Sequence, residues 1–274
     1  MDLTEYETKS LRAIRSWEIA KRAGAQTKVL DAISKPFDLI LRSVDKKTLR
    51  TLERALAKTI NLLLHASTFA VRPQTILKRA REHGVRLKDI SDLPRCDLET
   101  LDQCNRKNID FHRLAGTIQG AVAGLGGAAF AMADISSLLV QDFHMIQEIV
   151  YCYGFDPSNR AEKEIILRII MIAIGGSEMK RKMLSEIDTI HQIEYDLGGL
   201  GSAPGAVSVV GAKAMQEYTE HLAVRLLAVL SERVLPLLSS LVGAHSNREI
   251  IVNSGEAAFM VYRKRFILRK KYMD

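Results

Sequence analysis

The chain has 274 residues, 47% of them apolar and 26% charged, with a formal net charge of +7. Those values exclude wholesale disorder and leave room for one large domain or two small ones. The positive balance favours an anionic partner, and six prolines with 6% aromatics favour helices over sheets.

Helical periodicity runs almost throughout. Thr4 reads as the cap of a helix starting at Glu5, with Glu7 closing a capping box. Leu11, Ile14, Trp17 and Ile19 form its stripe, and Gly24 should end it. A second helix is expected over 27–43, bending or restarting at Pro36. Asp45 should cap a third over 46–69, whose face is Leu49, Leu52, Leu56, Ile60, Leu63 and Leu64. Arg72-Pro73 opens a short helix stopped by Gly84, and 85–96 reads as a loop. Asp97 then opens a polar helix, DLETLDQCNRKNIDFHR. DISSLLVQDFHMIQEIVYCYG is a strongly amphipathic helix ending at Gly154, and Asp156-Pro157-Ser158 is a turn. AEKEIILRIIMIAIGG and the more polar EMKRKMLSEIDTIHQIEY follow. A second glycine-rich stretch covers 197–212, and helices over 213–242 and 247–272 complete the chain. No strand block or short-period repeat is evident.

The first twenty residues of LAGTIQGAVAGLGGAAFAMADISSLL, 114–133, carry no charge. That length would span a bilayer, but glycine and alanine fill twelve of the twenty positions and add little transfer energy. Gly116, Gly120 and Gly124 fall on one helical strip where another backbone can come close. Gly126-Gly127 favours a kink or turn. A buried helix or helical hairpin is the leading reading. A lipid-touching segment and an oligomer interface are the alternatives. Asp134, at the end of the run, reads as the cap of the next helix, with a ligand-binding acid as the sharper alternative.

Catalytic and metal motifs are sparse. His144 and Glu148 lie one turn apart after Asp142. Asp188, His191 and Glu194 form a second group, and Glu217 with His221 a third. The paired Glu-x-x-His units of dimetal bundles are missing, so solvated helix faces are expected and no metal or cofactor. HExxH, GxSxG, Walker and complete GxGxxG patterns are missing too. The three cysteines, Cys96, Cys104 and Cys152, include no CxxC pair, which fits a reducing compartment better than a disulfide framework. The charged N-terminal stretch lacks a signal-peptide core, so secretion is not expected. Nucleic acid is disfavoured, because the cations cluster at the termini without a recognition motif. RKRFILRKK at 263–271 puts six cations in nine residues. Arg263, Lys264, Arg265, Arg269, Lys270 and Lys271 could meet phosphate headgroups while Phe259, Val261, Tyr262, Phe266, Ile267 and Leu268 face apolar material. The alternative is that this helix packs on the domain and its cations snorkel.

The order of features is informative. A tryptophan-bearing N-terminal helix (TEYETKSLRAIRSWE) precedes GLGGAAFAMADISSLL, then IVYCYGFD, a glycine/proline segment, and finally YRKRFILRKKY. This arrangement resembles the EcsC protein family of bacteria over about residues 4–273, most specifically in 116–156 and 259–272. LPLLSSLVGAHSN matches the family pattern only loosely, through Pro236, Gly243 and Asn247. The resemblance implies a bacterial cytoplasmic or membrane-associated protein, named for an accessory protein encoded beside an ABC transporter. It brings no agreed catalytic motif.

The expected fold is all-α, one compact multi-helix domain over 1–274 of about ten helices. Residues 1–110 would form an N-terminal helical layer, and 111–274 a glycine-rich core with a central helical hairpin and a basic C-terminal helix. The expected function is a non-catalytic protein, cytoplasmic and peripheral on the inner membrane, binding anionic lipid or a membrane transporter. Gly116, Gly120, Gly124 and Asp134 would surround a hydrophobic groove, and the C-terminal cations would contact headgroups. One alternative is a metal-assisted enzyme on hydrophobic or phosphorylated substrates, with Asp142, His144, Glu148, Asp188 or His191 converging in one pocket. The other is a soluble scaffold that forms a homodimer through the glycine strip.

Overall fold

The Thr4 side chain accepts a hydrogen bond from the Glu7 amide (3.2 Å), and the Glu7 carboxylate accepts one from the Thr4 amide (2.8 Å). This reciprocal cap starts α1 (Glu5–Ile19) where the sequence places it. The helix stops before Gly24 because Ala20 already has extended torsions. The computed structural model describes residues 3–20, 46–65, 73–82, 89–123, 127–196 and 240–272, with short helical pieces between 216 and 224. The expected helix over 27–43, Gly124 and the second glycine-rich stretch lie outside the described residues.

α2 (Lys46–His65) buries Leu56, Ile60, Leu63 and Leu64 and leaves Arg50, Arg54 and Lys58 exposed. α3 (Pro73–Glu82) begins with proline, whose missing donor is harmless at a first helical position. A 3-10 turn, Ile90–Arg95, occupies the expected loop, anchored by Leu93 at 1% exposure. α4 (Leu98–Ala123) starts where the Asp97 carboxylate accepts from the amide and hydroxyl of Thr100, both at 2.8 Å.

α5 (Gly127–Cys152) follows three residues after α4 ends. The uncharged run is therefore shared between two helices, and among the described residues no helix is long and apolar enough to cross a membrane. Gly116 and Gly120 lie along α4. Asp134 lies seven residues inside α5, which corrects its expected capping role: the helix has already begun at Gly127. The side chains over 115–135 lie outside the description, so the proposed glycine-lined groove does too.

α5 ends in a hydrogen-bonded reversal. The Phe155 amide reaches the Val150 carbonyl (3.1 Å), and the Gly154 amide reaches the Tyr151 carbonyl (2.8 Å). Gly154 has φ 76°, a left-handed conformation that costs glycine nothing. After the Asp156–Ser158 turn, Asn159 caps α6 (Arg160–Ile174). Thirteen of its fifteen residues are buried, and only Arg160 and Lys163 are not. α7 (Ser177–Asp196) and the long α8 (Ser240–Tyr272) follow.

α8 runs along α4 and also packs on α5, α6 and α1, while α7 packs on α6 and α2 on α5. One apolar cluster reaches from Ile14 to Ile267. The expected boundary at 110/111 falls inside α4, so the two sub-regions share this core. Among the described residues there is no strand, and the all-α fold is as expected.

Between α6 and α7, a Cβ built on Gly175 would sit 2.6 Å from the Met171 carbonyl oxygen and from Met179, whereas one on Gly176 meets nothing within 4 Å. Gly175→Ala should therefore destabilise the fold by about 1–3 kcal/mol. Gly176→Ala should be neutral or stabilise by about 0.5 kcal/mol. Paired urea titrations measure the contrast.

Candidate functional site

The basic stretch of α8 contains the most heavily paired side chains in the described structure. Arg263 is buried, with Nη2 2.6 Å from Asp102 on α4. The same carboxylate accepts from the hydroxyls of Tyr6 on α1 (2.9 Å) and Tyr153 beyond α5 (2.7 Å). Arg265, 2% exposed, bridges Glu162 on α6 (2.6 Å) and Glu194 on α7 (2.7 Å), and Tyr262 donates to Glu162 (2.7 Å). Lys264 meets Glu18 and Asp188, and Lys270 meets Glu7, all at 2.8 Å. Arg269 donates to the carbonyls of Tyr153 (3.0 Å) and Gly154 (2.9 Å). It thereby satisfies acceptors that the end of α5 would otherwise leave open.

Five of the six cations expected at a membrane surface are thus engaged inside the molecule. The physical reason is the interior acids: a buried carboxylate is costly without a charge partner, and α8 supplies one to Glu7, Asp102, Glu162 and Glu194. The side chain of Lys271 lies outside the description. Phe259, Val261, Tyr262, Phe266 and Ile267 are buried, so this face of the helix packs on the domain.

Burial dominates the titration of these groups. It raises the carboxyls of Asp102 and Glu194, against the pull of Tyr153 and Arg263 on the first and of Arg265 on the second. For Arg265, burial works against the charge, but Glu162 and Glu194 outweigh it and hold the guanidinium above its ordinary value. Asp142 on α5 is wholly buried, with Ser254 on α8 donating to Oδ2 (2.8 Å) and, among the described residues, no donor on Oδ1. Its pKa is pushed up to about 8 by burial, against the Ser254 hydrogen bond, so it is a neutral acid at neutral pH. Burial, with Arg265 and Lys264 nearby, lowers His191 to about 4.

The five residues named for an enzymatic pocket divide among separate neighbourhoods. Asp142 faces Ser254, while Asp188 and His191 line one small pocket with Lys264 and Arg265. His144 and Glu148 instead meet His112, a residue the sequence reading passed over. His112 Nε2 lies 3.0 Å from Glu148 Oε2, and His144 Nδ1 lies 3.8 Å from Glu148 Oε1. The signal for His112 was its place in the series Asp102, Asn105, Asn108, His112. That polar strip of α4 points inward, with every member at most 5% exposed.

Sequence reasoning also missed a cleft of about 1010 Å³. Arg50, Arg54 and Lys58, at successive helical turns of α2, line it together with Arg160 and Lys163 from the first turn of α6. Ala57, Leu64 and Val224 give it apolar wall, and Glu53 and Glu220 are its acids. Among the described residues that line it, five cations stand against two carboxylates beside a helix N-terminus, an arrangement that favours an anion.

Fold and site together define an all-helical protein whose last helix is fixed to five others by buried ion pairs and hydrogen bonds. The chain belongs to the EcsC protein family, whose model matches residues 8–267. It is 25% identical over 183 residues to the uncharacterized protein YdbA of Bacillus subtilis (strain 168), covering 67% of this chain and 64% of that protein. It is 23% identical over 180 residues to protein EcsC of the same organism, covering 66% of this chain and 68% of that one. The match thus spans about two thirds of the length of these relatives. No solved structure matches the chain. The two segments that carry the family resemblance touch each other, for Arg269 binds the end of IVYCYGFD and Arg265 lies 4.3 Å from the Phe155 ring centroid.

Arg265→Met should cost about 3–5 kcal/mol in denaturant unfolding, because it strands two buried carboxylates. Lys264→Ala, at the solvent edge, should cost about 1 kcal/mol or less. Asp142 gives a pH signature. Its folded pKa of about 8 lies above the ordinary value of 3.8, so its stabilising contribution is complete below about pH 4 and is lost as pH rises towards 8. Asp142→Asn should therefore gain on the wild type by about 1.4 kcal/mol per pH unit across that window. Melting curves of both chains between pH 5 and 8 check the slope.

Proposed function

We propose that the chain is a non-catalytic, cytoplasmic protein that associates peripherally with the inner membrane. In this reading it holds the phosphorylated end of an anionic lipid in the cleft between α2 and the first turn of α6. The carrying observation is the cleft itself: Arg50, Arg54 and Lys58 on one exposed face, opposite Arg160 and Lys163, with apolar wall beside them. α6 is buried everywhere except at Arg160 and Lys163, so its only solvent-facing side chains are the cations in this cleft. The headgroup role expected of the C-terminal helix moves to α2, because the α8 cations already have intramolecular partners.

The test is flotation with phosphatidylcholine vesicles, with and without phosphatidylglycerol, at low and high salt. The wild-type chain should float with the anionic vesicles only, and salt should release it. Replacing Arg50, Arg54 and Lys58 together by Gln should weaken binding by about a hundredfold, at roughly 1 kcal/mol per cation. Retention of full binding by that variant would remove the cleft from the reading. Failure of the wild type to bind any vesicle would remove the lipid.

A further inference from the structure

We propose that His112, His144 and Glu148 form a three-ligand site for a divalent transition metal of the zinc class, open at a fourth position. The site lies between α4 and α5, apart from the cleft, and is independent of the lipid reading. Its donors are two imidazole nitrogens and a carboxylate oxygen, the set that suits zinc and its first-row neighbours. One ligand atom from each residue can be chosen so that all three lie within 4.8 Å of one another.

The spacing is within reach of a cation as well as of a hydrogen bond. With metal–ligand bonds near 2.0–2.1 Å, a tetrahedral zinc site places its ligand atoms about 3.3 Å apart. Glu148 Oε2 lies 3.0 Å from His112 Nε2 and Glu148 Oε1 lies 3.8 Å from His144 Nδ1, so the one carboxylate faces both imidazoles. A metal at the centre uses all three groups, with one carboxylate oxygen as ligand. The imidazole rings are tilted by 54° with centroids 5.8 Å apart, so they are not stacked against each other.

The surroundings add support and access. Gln141 Nε2 donates to the backbone carbonyl of His112 (2.7 Å), fixing that turn of α4 against α5. Glu148 and His112 are buried, whereas the His144 side chain is 37% exposed. The fourth position therefore opens on the His144 side, where a water or another small oxygen donor could complete the shell. Three protein ligands with one open position differ from a closed structural site and leave the metal accessible to a small donor.

The experiment uses the full chain stripped with chelator and then titrated with Co2+ and Zn2+. One equivalent of Co2+ should give the intense visible bands of four-coordinate cobalt, displaced by Zn2+, and Zn2+ should raise the melting temperature. His144→Ala alters a half-exposed helix position and should fold as the wild type does, checked by circular dichroism. It should lose affinity by roughly a hundredfold or more, together with the zinc-dependent thermal shift. Asp110→Asn, a nearby exposed carboxylate, should change neither. A wild-type chain that gives no cobalt bands and no thermal shift overturns the proposal. So does one whose stoichiometric binding survives in His144→Ala.

Discussion

Arg265 is the interaction on which the architecture turns. Its guanidinium lies in the interior between Glu162 and Glu194, under the hydroxyl-bearing ring of Tyr262 and beside Phe155. Two carboxylates buried at 1–3% exposure would be prohibitive without that charge. The pair therefore dictates the angle and register at which α6, α7 and α8 meet. Arg263 does the same for α4, α1 and the end of α5 through Asp102. The apolar cluster supplies bulk stability, and these charged contacts select one arrangement among the many that Leu- and Ile-rich helices could adopt.

With α8 fixed in this way, the chemistry left for partners lies elsewhere. The α2–α6 cleft presents cations on faces that the core does not use. The His112–His144–Glu148 cluster sits where the polar strip of α4 meets α5. One is open and electropositive, and the other is compact and mostly buried. They need not serve one ligand. A protein that docks on an anionic surface through the first remains free to present the second.

Much of the fold was legible in the sequence. The capping box at Thr4 and Glu7, the stop at Gly154 and the apolar period of α2 are local, so residue types alone reveal them. The site was harder to read for a physical reason. RKRFILRKK looks solvated because cations usually are, and nothing within nine residues announces that Asp102, Glu162 and Glu194 lie in wait on other helices. His112 was hidden in the same way: its partners on α5 are 32 and 36 positions distant. The first part of α4, up to residue 113, looked polar, yet Asp102, Asn105, Asn108 and His112 all face inward. Polar character said nothing about direction, and the helical spacing of those four was the clue. The cleft depends on Arg50, Arg54 and Lys58 meeting the start of α6, a junction made only by folding.

The ion pairs of α8 also bear on the order in which the molecule is made. Glu7 and Lys270 stand 263 positions apart, Asp102 and Arg263 161 apart, and Glu162 and Arg265 103 apart. The acids therefore leave the ribosome long before the cations that neutralise them. Until Arg263–Lys270 are made, α1, α4, α6 and α7 hold carboxylates without these partners, and such groups resist being taken out of water. Unmatched buried charge disfavours early packing of those helices, and contacts of such large sequence separation are the costly ones to close.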